Sequence, residues 1–299
     1  MTNKGLRVSI ILLLVMAAAL GACLPEPLPT EDTSAAAIET AVAATLAAGG
    51  EESPPDTAAP PPSPTWTIHP TVTASPPETN FSYAGVSFYF NPLLAENIVA
   101  GTNPGQYDDQ AFMWSFPEHR EFIFNEWVLA DGFHDPVIRV YPVADFIAIN
   151  ENVANTLAAM EGNLAADPVD EEILYVPVMF NAGQLYRSNA KALQFQNGYG
   201  ARWLSQYGQA YMPIGWPEMF YTFQGFTDDG NYYISMVFPV THPSLPDPDD
   251  VTMDNDFYEN FETYADQIEV QLEMESDNSF MPSLVLLDEL VTSLLVGNP

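Results

Sequence analysis

From about residue 81 onward, apolar and polar positions fall into short runs broken by Asn, Asp, Gly and Pro. Runs of β-branched and aromatic residues bounded by such breakers predict strands at 86–90, 121–129 and 137–143. The period then changes. Ile149, Val153, Leu157, Met160 and Leu164 recur at helical spacing and predict a helix over 146–164. The stretch 173–180 is apolar, but Pro177 lacks the N–H a central strand needs, so an edge or broken strand is expected there. Two hairpins follow. Segments 191–196 and 201–207 flank Asn197-Gly198-Tyr199-Gly200, and segments 219–226 and 231–240 flank Thr227-Asp228-Asp229-Gly230. Asn, Asp and Gly tolerate the positive φ that tight hairpin turns require. Residues 256–275 carry Phe257, Phe261, Tyr264, Ile268 and Leu272 on one stripe, with Asp256 and Glu259 spaced as a capping box. A second helix, 280–296, is largely apolar apart from Asp288 and Glu289 and is too short to span a bilayer. Strands arriving as hairpins, with helices between and after them, predict an α+β fold: an antiparallel β-sheet built from hairpins with packed flanking helices.

The N-terminal 80 residues follow a different pattern. Lys4 and Arg7 precede an uninterrupted apolar run from Val8 to Leu20, and Leu20-Gly21-Ala22-Cys23 follows. A basic start, an apolar middle and small residues before the cut are the parts of a secretory signal. The tetrapeptide resembles a bacterial lipobox, which implies that Cys23, the single cysteine of the chain, is lipidated and becomes the first residue after cleavage. Leu24 stands where an aspartate often marks inner-membrane retention in such proteins, a family-based pointer to export or surface display. One acyl chain holds a protein only marginally, so stable anchoring takes two or more. Residues 34–48 are alanine-rich and predict at most a short helix. Nine prolines between residues 51 and 78 favour extended polyproline II at about 3.1 Å per residue, a tether reaching on the order of 100 Å. The expected organisation is therefore a signal at 1–22, a lipidated tether at 23–79 and one globular domain at 80–299.

Charge narrows the partners. The chain holds 40 Asp+Glu against 7 Lys+Arg, a formal net charge of −33, and Lys191 is the only lysine after Lys4. Such a surface repels nucleic acid and anionic headgroups. With 47% hydrophobic residues and no cysteine pair to staple, the domain relies on its core.

The segments Phe195-Gln196-Asn197-Gly198-Tyr199-Gly200-Ala201-Arg202-Trp203-Leu204, Tyr221-Thr222-Phe223-Gln224-Gly225-Phe226-Thr227-Asp228-Asp229-Gly230-Asn231-Tyr232-Tyr233 and Phe238-Pro239-Val240-Thr241-His242-Pro243 resemble a family of exported bacterial lipoproteins with no assigned activity. The resemblance covers most of 81–296 and implies export and a single domain; it carries over no catalytic residue. The element order also resembles the Mog1/PsbP-like arrangement, with an early strand at 86–90, a hairpin sheet and a terminal helix covering it.

Gly-x-Ser-x-Gly, His-Glu-x-x-His and P-loop patterns do not occur. His119, His134 and His242 stand far apart in sequence, without ligand spacing. Glu118-His119-Arg120-Glu121 reads as a charged strand start. Asp247, Asp249, Asp250 and Asp254 form the acid-rich stretch best suited to calcium, although it lacks the central glycine of an EF-hand loop. Aromatic residues crowd the hairpins, and strand alternation would leave some exposed unless both sheet faces are covered. The ligand-binding candidates are Arg202, Trp203, Tyr221, Asp228, Asp229 and His242. Three roles remain open. One is a lipid-anchored extracytoplasmic module binding an envelope protein, glycan or small molecule. The second is an envelope hydrolase using an Asp/Glu pair, with Asp228 beside Asp229 or His242. The third is a structural envelope protein.

Overall fold

The computed structural model describes residues 79–107, 115–149, 151–166, 169–176 and 182–299. The signal, Cys23, the 34–48 helix and the tether lie outside them. The fold is α+β and antiparallel. Its larger sheet has seven strands: β3 (Asn97–Asn103), β4 (His119–Asn125), β5 (Val137–Pro142), β6 (Gly183–Phe195), β7 (Gly198–Gly208), β8 (Phe220–Thr227) and β9 (Tyr232–Pro239). Their order is β3-β4-β5-β9-β8-β7-β6, with every neighbouring pair antiparallel. A smaller sheet joins β1 (Phe81–Tyr83), β2 (Val86–Phe88) and β10 (Leu295–Val296) in the order β1-β2-β10.

Both faces of the central strands are covered, and every residue of β8 is buried. Strand alternation sorts the side chains into two cores. On one face Phe122, Ile138, Met236, Phe223 and Leu204 pack with Val86 and Phe88 of the small sheet, with Ile268 and Leu272 of helix α4 (Phe261–Glu273), and with Leu287, Leu290 and Val291 of α5 (Leu284–Ser293). On the other, Val137, Tyr141, Trp203, Phe220, Phe226 and Tyr233 meet Phe146 of α1 (Val143–Ile147) and the stripe Val153, Leu157, Met160 and Leu164 of α2 (Glu151–Leu164). The exposed aromatic sheet face that alternation allowed is therefore filled from both sides. Trp203, Tyr221, Phe223 and Tyr233 are each no more than 1% exposed.

Several boundaries differ from the sequence pattern, for identifiable reasons. The first hairpin turns at Gln196-Asn197, because Phe195 pairs with Gly198. There the Asn197 side chain donates to the Val296 carbonyl at 2.6 Å and accepts its N–H at 3.1 Å, tying the turn to β10. The second hairpin turns at 228–231, as the Asp-Asp-Gly run indicated. The helix over 146–164 is two helices, the first closing through the Ile149 N–H bond to Phe146 O. The helix over 256–275 is likewise split into α3 (Asn255–Glu259) and α4. Asn260 breaks it: its side chain bonds the Asp256 carbonyl at 2.9 Å and carboxylate at 3.1 Å, offering the backbone a competing partner. Asp254, not Asp256, caps α3 by accepting the Phe257 N–H. Ser283 caps α5, and beyond Leu294 the chain turns extended to pair with β2. Residues 171–173 form a 3₁₀ turn capped by Asp170, and residues 174–176 form no strand. Strands β1 and β3 are additions to the sequence pattern. The β1–β2 turn uses Ala84 and Gly85 at positive φ, and a Cβ on Gly85 would collide with the Asn298 carbonyl.

Arg120 fastens the two sheets together. Its Nη1 donates to the carbonyls of Ala84 at 2.8 Å and Gly297 at 2.7 Å, and its guanidinium lies 4.4 Å from the centre of the Tyr232 ring.

Candidate functional site: a cleft at the free edge of the sheet

The α2-covered face carries a polar rung across its middle. Register places Gly101, Glu121, Arg139, Ser235, Gln224, Ala201 and Ala192 side by side on successive strands. Arg139 Nε donates to Glu121 at 2.7 Å and Asn103 Nδ2 donates to it at 3.3 Å, while His119 Nε2 stands 3.9 Å away. His119, Arg139 and Asn103 together hold the Glu121 carboxyl down to about 2, against the desolvation that opposes them. Gln224 Nε2 donates to Thr222 at 2.7 Å and Ser235 at 3.1 Å, and its carbonyl accepts from Tyr233. All four side chains are buried. None stood out in the sequence as a site residue; the visible signal was polar residues interrupting the aromatic run 220–227.

At its β6 end this face opens into a cleft of about 940 Å³, within the size range of small-ligand sites. The walls are residues 164–166 at the end of α2, residues of the 169–174 segment, residues 190–196 of β6 and its turn, and residues 198–201 of β7. Leu164, Leu174, Ala190, Ala201 and Tyr199 make it partly apolar, and Glu171 and Asp228 add carboxylates. Tyr199 is pushed above its usual range by burial and then by the charges of Glu161 and Asp228, so both acids bear on this end of the cleft. Lys191 also lines it, but its ammonium is 2.8 Å from Asp288.

The sequence-derived site residues scatter. Arg202 is 2% exposed and Tyr221 fully buried; both face the α5 side, where Arg202 Nη2 bonds both Asp277 oxygens at 2.9 Å and Tyr221 donates to Asp288 at 3.1 Å. Trp203 points to the opposite face, and its Nε1 has no hydrogen-bond partner among the described residues. These three are core residues, not a ligand surface. His242 is buried against Phe280. Its Nδ1 accepts the Ser244 N–H, which places the ring proton on Nε2, donated to Ser279 at 3.0 Å. It fastens two loops. Asp229 shapes the β8–β9 turn: its carboxylate accepts from Thr227 at 2.6 Å and the Asn231 N–H at 3.0 Å, which hold it below its usual range. Asp228 is exposed and is the one sequence-derived candidate that lines the cleft. It precedes β9 whereas His242 follows it, so eight strand residues, roughly 26 Å, separate their ends. Among the described residues no three His, Cys, Asp or Glu side chains converge as a metal site. In the acid-rich stretch Asp250 donates its N–H to the Asp247 carbonyl, and Asp254 is occupied as the α3 cap.

Comparison with protein-family models, curated proteins and solved structures finds no match to this chain.

Proposed function

We propose that this chain is a lipid-anchored, extracytoplasmic binding module that takes its ligand in the cleft between α2 and the β6–β7 hairpin. The observation that carries the reading is the cleft itself: about 940 Å³, bounded by strand and helix, with Leu164, Leu174 and Ala190 as apolar wall and Glu171, Gln194 and Asp228 among its polar groups. The lipobox-like Leu20-Gly21-Ala22-Cys23 and the proline-rich segment support the location, and the likeness of the hairpin segments to exported lipoproteins belongs to the same proposal. The 1–22, 23–79 and 80–299 organisation belongs to the same proposal. So does a Mog1/PsbP-like arrangement, supported by α5 following the hairpin strands and packing on them.

The test is a thermal melt of the full chain in mild detergent with calcium, glycans, small organic molecules and peptides as separate arms. A ligand at 100 times its dissociation constant adds about 2.7 kcal/mol, roughly 5–10 °C for a domain of this size. Ala192→Trp, at an exposed cleft position, is expected to abolish that shift. A panel that leaves the melt unmoved would favour the structural role. A calcium shift that survives Ala192→Trp and is lost in Asp250→Asn would place the ion at the 247–254 stretch. The anchor has its own measurement: Cys23→Ser is expected to move the protein from the membrane fraction to the soluble or uncleaved pool and to abolish acyl-chain labelling. Unchanged fractionation would remove the lipid anchor.

A further inference from the structure

The cleft has one wall of unusual kind. Seven successive residues, 190–196, line it, so residues of both side-chain parities contribute and the outer edge of the strand is presented. β6 is the terminal strand of the sheet. Its first half is covered: Arg187 donates to the Leu174 carbonyl at 2.9 Å, and Asn189 bonds the Leu272 carbonyl and the Glu273 carboxylate. From Ala190 to Phe195 the outer side of the strand makes no backbone hydrogen bond to another of the described residues, and the Gln196 N–H goes to the Leu294 carbonyl at 3.0 Å. A two-residue hairpin loop closes on a hydrogen-bonded pair, here Phe195 with Gly198. Alternation then makes Leu193 with Gly200 and Lys191 with Arg202 the bonded pairs, and directs the N–H and C=O of Ala192 and Gln194 away from β7. Both residues are exposed and both line the cleft.

We propose that the cleft receives an extended peptide segment bearing lysine or arginine, which pairs with β6 at Ala192 and Gln194 as an eighth strand. The inference rests on the cleft being the binding site. Two residues at i and i+2 supply the four backbone groups that one edge of an added strand needs. The small side chains of Ala190, Ala192 and Ala201 leave room for the incoming ones. Charge selects the occupant. Glu171 and Asp228 line the cleft, Glu161 and Asp228 act on Tyr199, and the one lysine is committed to Asp288. A second copy of a chain with formal net charge −33 is repelled from this edge. The chain's own tether is acidic and dense in prolines, which have no N–H for a ladder.

The test is calorimetric titration of the full chain, in detergent, with a capped octapeptide alternating Lys and Val. Saturable binding of one peptide per chain is expected, with a Glu-Val octapeptide not bound. Gln194→Pro removes an outward N–H that the β6–β7 ladder does not use, a place where an edge strand accepts proline, and is expected to weaken binding about tenfold. Lys-Val peptide N-methylated at alternate residues gives the same reading without altering the protein: one methylation register binds and the other is lost. Equal affinity of both registers and of Gln194→Pro would mean charge attraction without strand pairing and overturns the inference. So does failure of the Lys-Val peptide while another ligand gives an Ala192→Trp-sensitive melt shift, in which case the cleft reading stands. Failure of every ligand takes both. A concentration-dependent dimer abolished by Gln194→Pro would assign the edge to a second copy and overturn the cationic-peptide occupant.

Discussion

Arg202→Met is expected to lower folding stability by about 2–4 kcal/mol, somewhat below the cost of breaking a fully buried pair, because Asp277 and Lys191 keep part of their contact with water. The cluster joins three strands to the C-terminal helix. Arg202 on β7 donates through Nη2 to both Asp277 oxygens at 2.9 Å and stands 3.3 Å from Asp288 on α5, a charge contact without hydrogen-bond alignment. Lys191 on β6 and Tyr221 on β8 both reach Asp288. Burial, and then the Asp288 charge, push the Tyr221 hydroxyl well above its usual range, so it stays a donor to that carboxylate. Two cations therefore balance two carboxylates at the floor of α5. Methionine preserves volume but leaves Asp288 with one cation and Asp277 with only Lys191 at 3.7 Å. Arg202→Lys keeps the charge but cannot hold Asp277 and the Asn189 carbonyl at once from two nitrogens, and should fall between the two. Urea denaturation of the full chain measures this: the midpoint should drop with little change in slope. A loss below about 1 kcal/mol would mean that the cluster contributes no more than a surface pair does.

That same cluster shows what the sequence revealed and what it hid. Arg202 was visible as a rare cation in an aromatic run, and the charge mid-way along an apolar helix marked Asp288. Neither carries information that the two meet across the packed layers. The second hairpin was legible because Asp-Asp-Gly turn chemistry acts within a few residues, with Gly230 at positive φ; the first was legible from its flanking runs, its turn lying at Gln196-Asn197, one residue before the Asn-Gly pair. The covered second face was not, because aromatic runs on β7, β8 and β9 read alike whether water or a helix faces them. The breaks at Ile149 and Asn260 follow from one or two local bonds that stripe periodicity ignores. Strand β3 escaped because only half-buried and exposed positions occur along it. β10 escaped because Leu295 and Val296 continue the apolar pattern of the helix before them. For the cleft, Asp228 was found from turn chemistry. The polar rung and the bare edge at Ala192 and Gln194 were not, since they exist only once register is fixed.

Acid is expected to weaken this fold in two successive windows. His134 lies between the rings of Phe133 and Phe220, at 4.9 and 4.8 Å, and burial lowers it to about 4 against the opposing charge of Asp135. Its folded value is below its unfolded value of about 6.5. Between those values the unfolded chain binds a proton that the folded chain does not, so stability falls as pH drops from about 6.5 to 4, by up to about 3 kcal/mol. Glu121, held down to about 2, acts in the next window. Its contribution is complete above the unfolded carboxylate value and is lost as pH falls from about 4.5 to 2, again by up to about 3 kcal/mol. Glu218 and Glu269 work against this trend. Burial raises both, so they favour the folded state as pH falls and shallow the slope just above the usual carboxylate range. The check is a series of urea titrations from pH 7 to pH 2. His134→Gln should flatten the first window and leave the second, and Glu121→Gln the reverse. If His134→Gln leaves the slope between pH 6.5 and 4 unchanged, the imidazole is not the group that couples this fold to acid there.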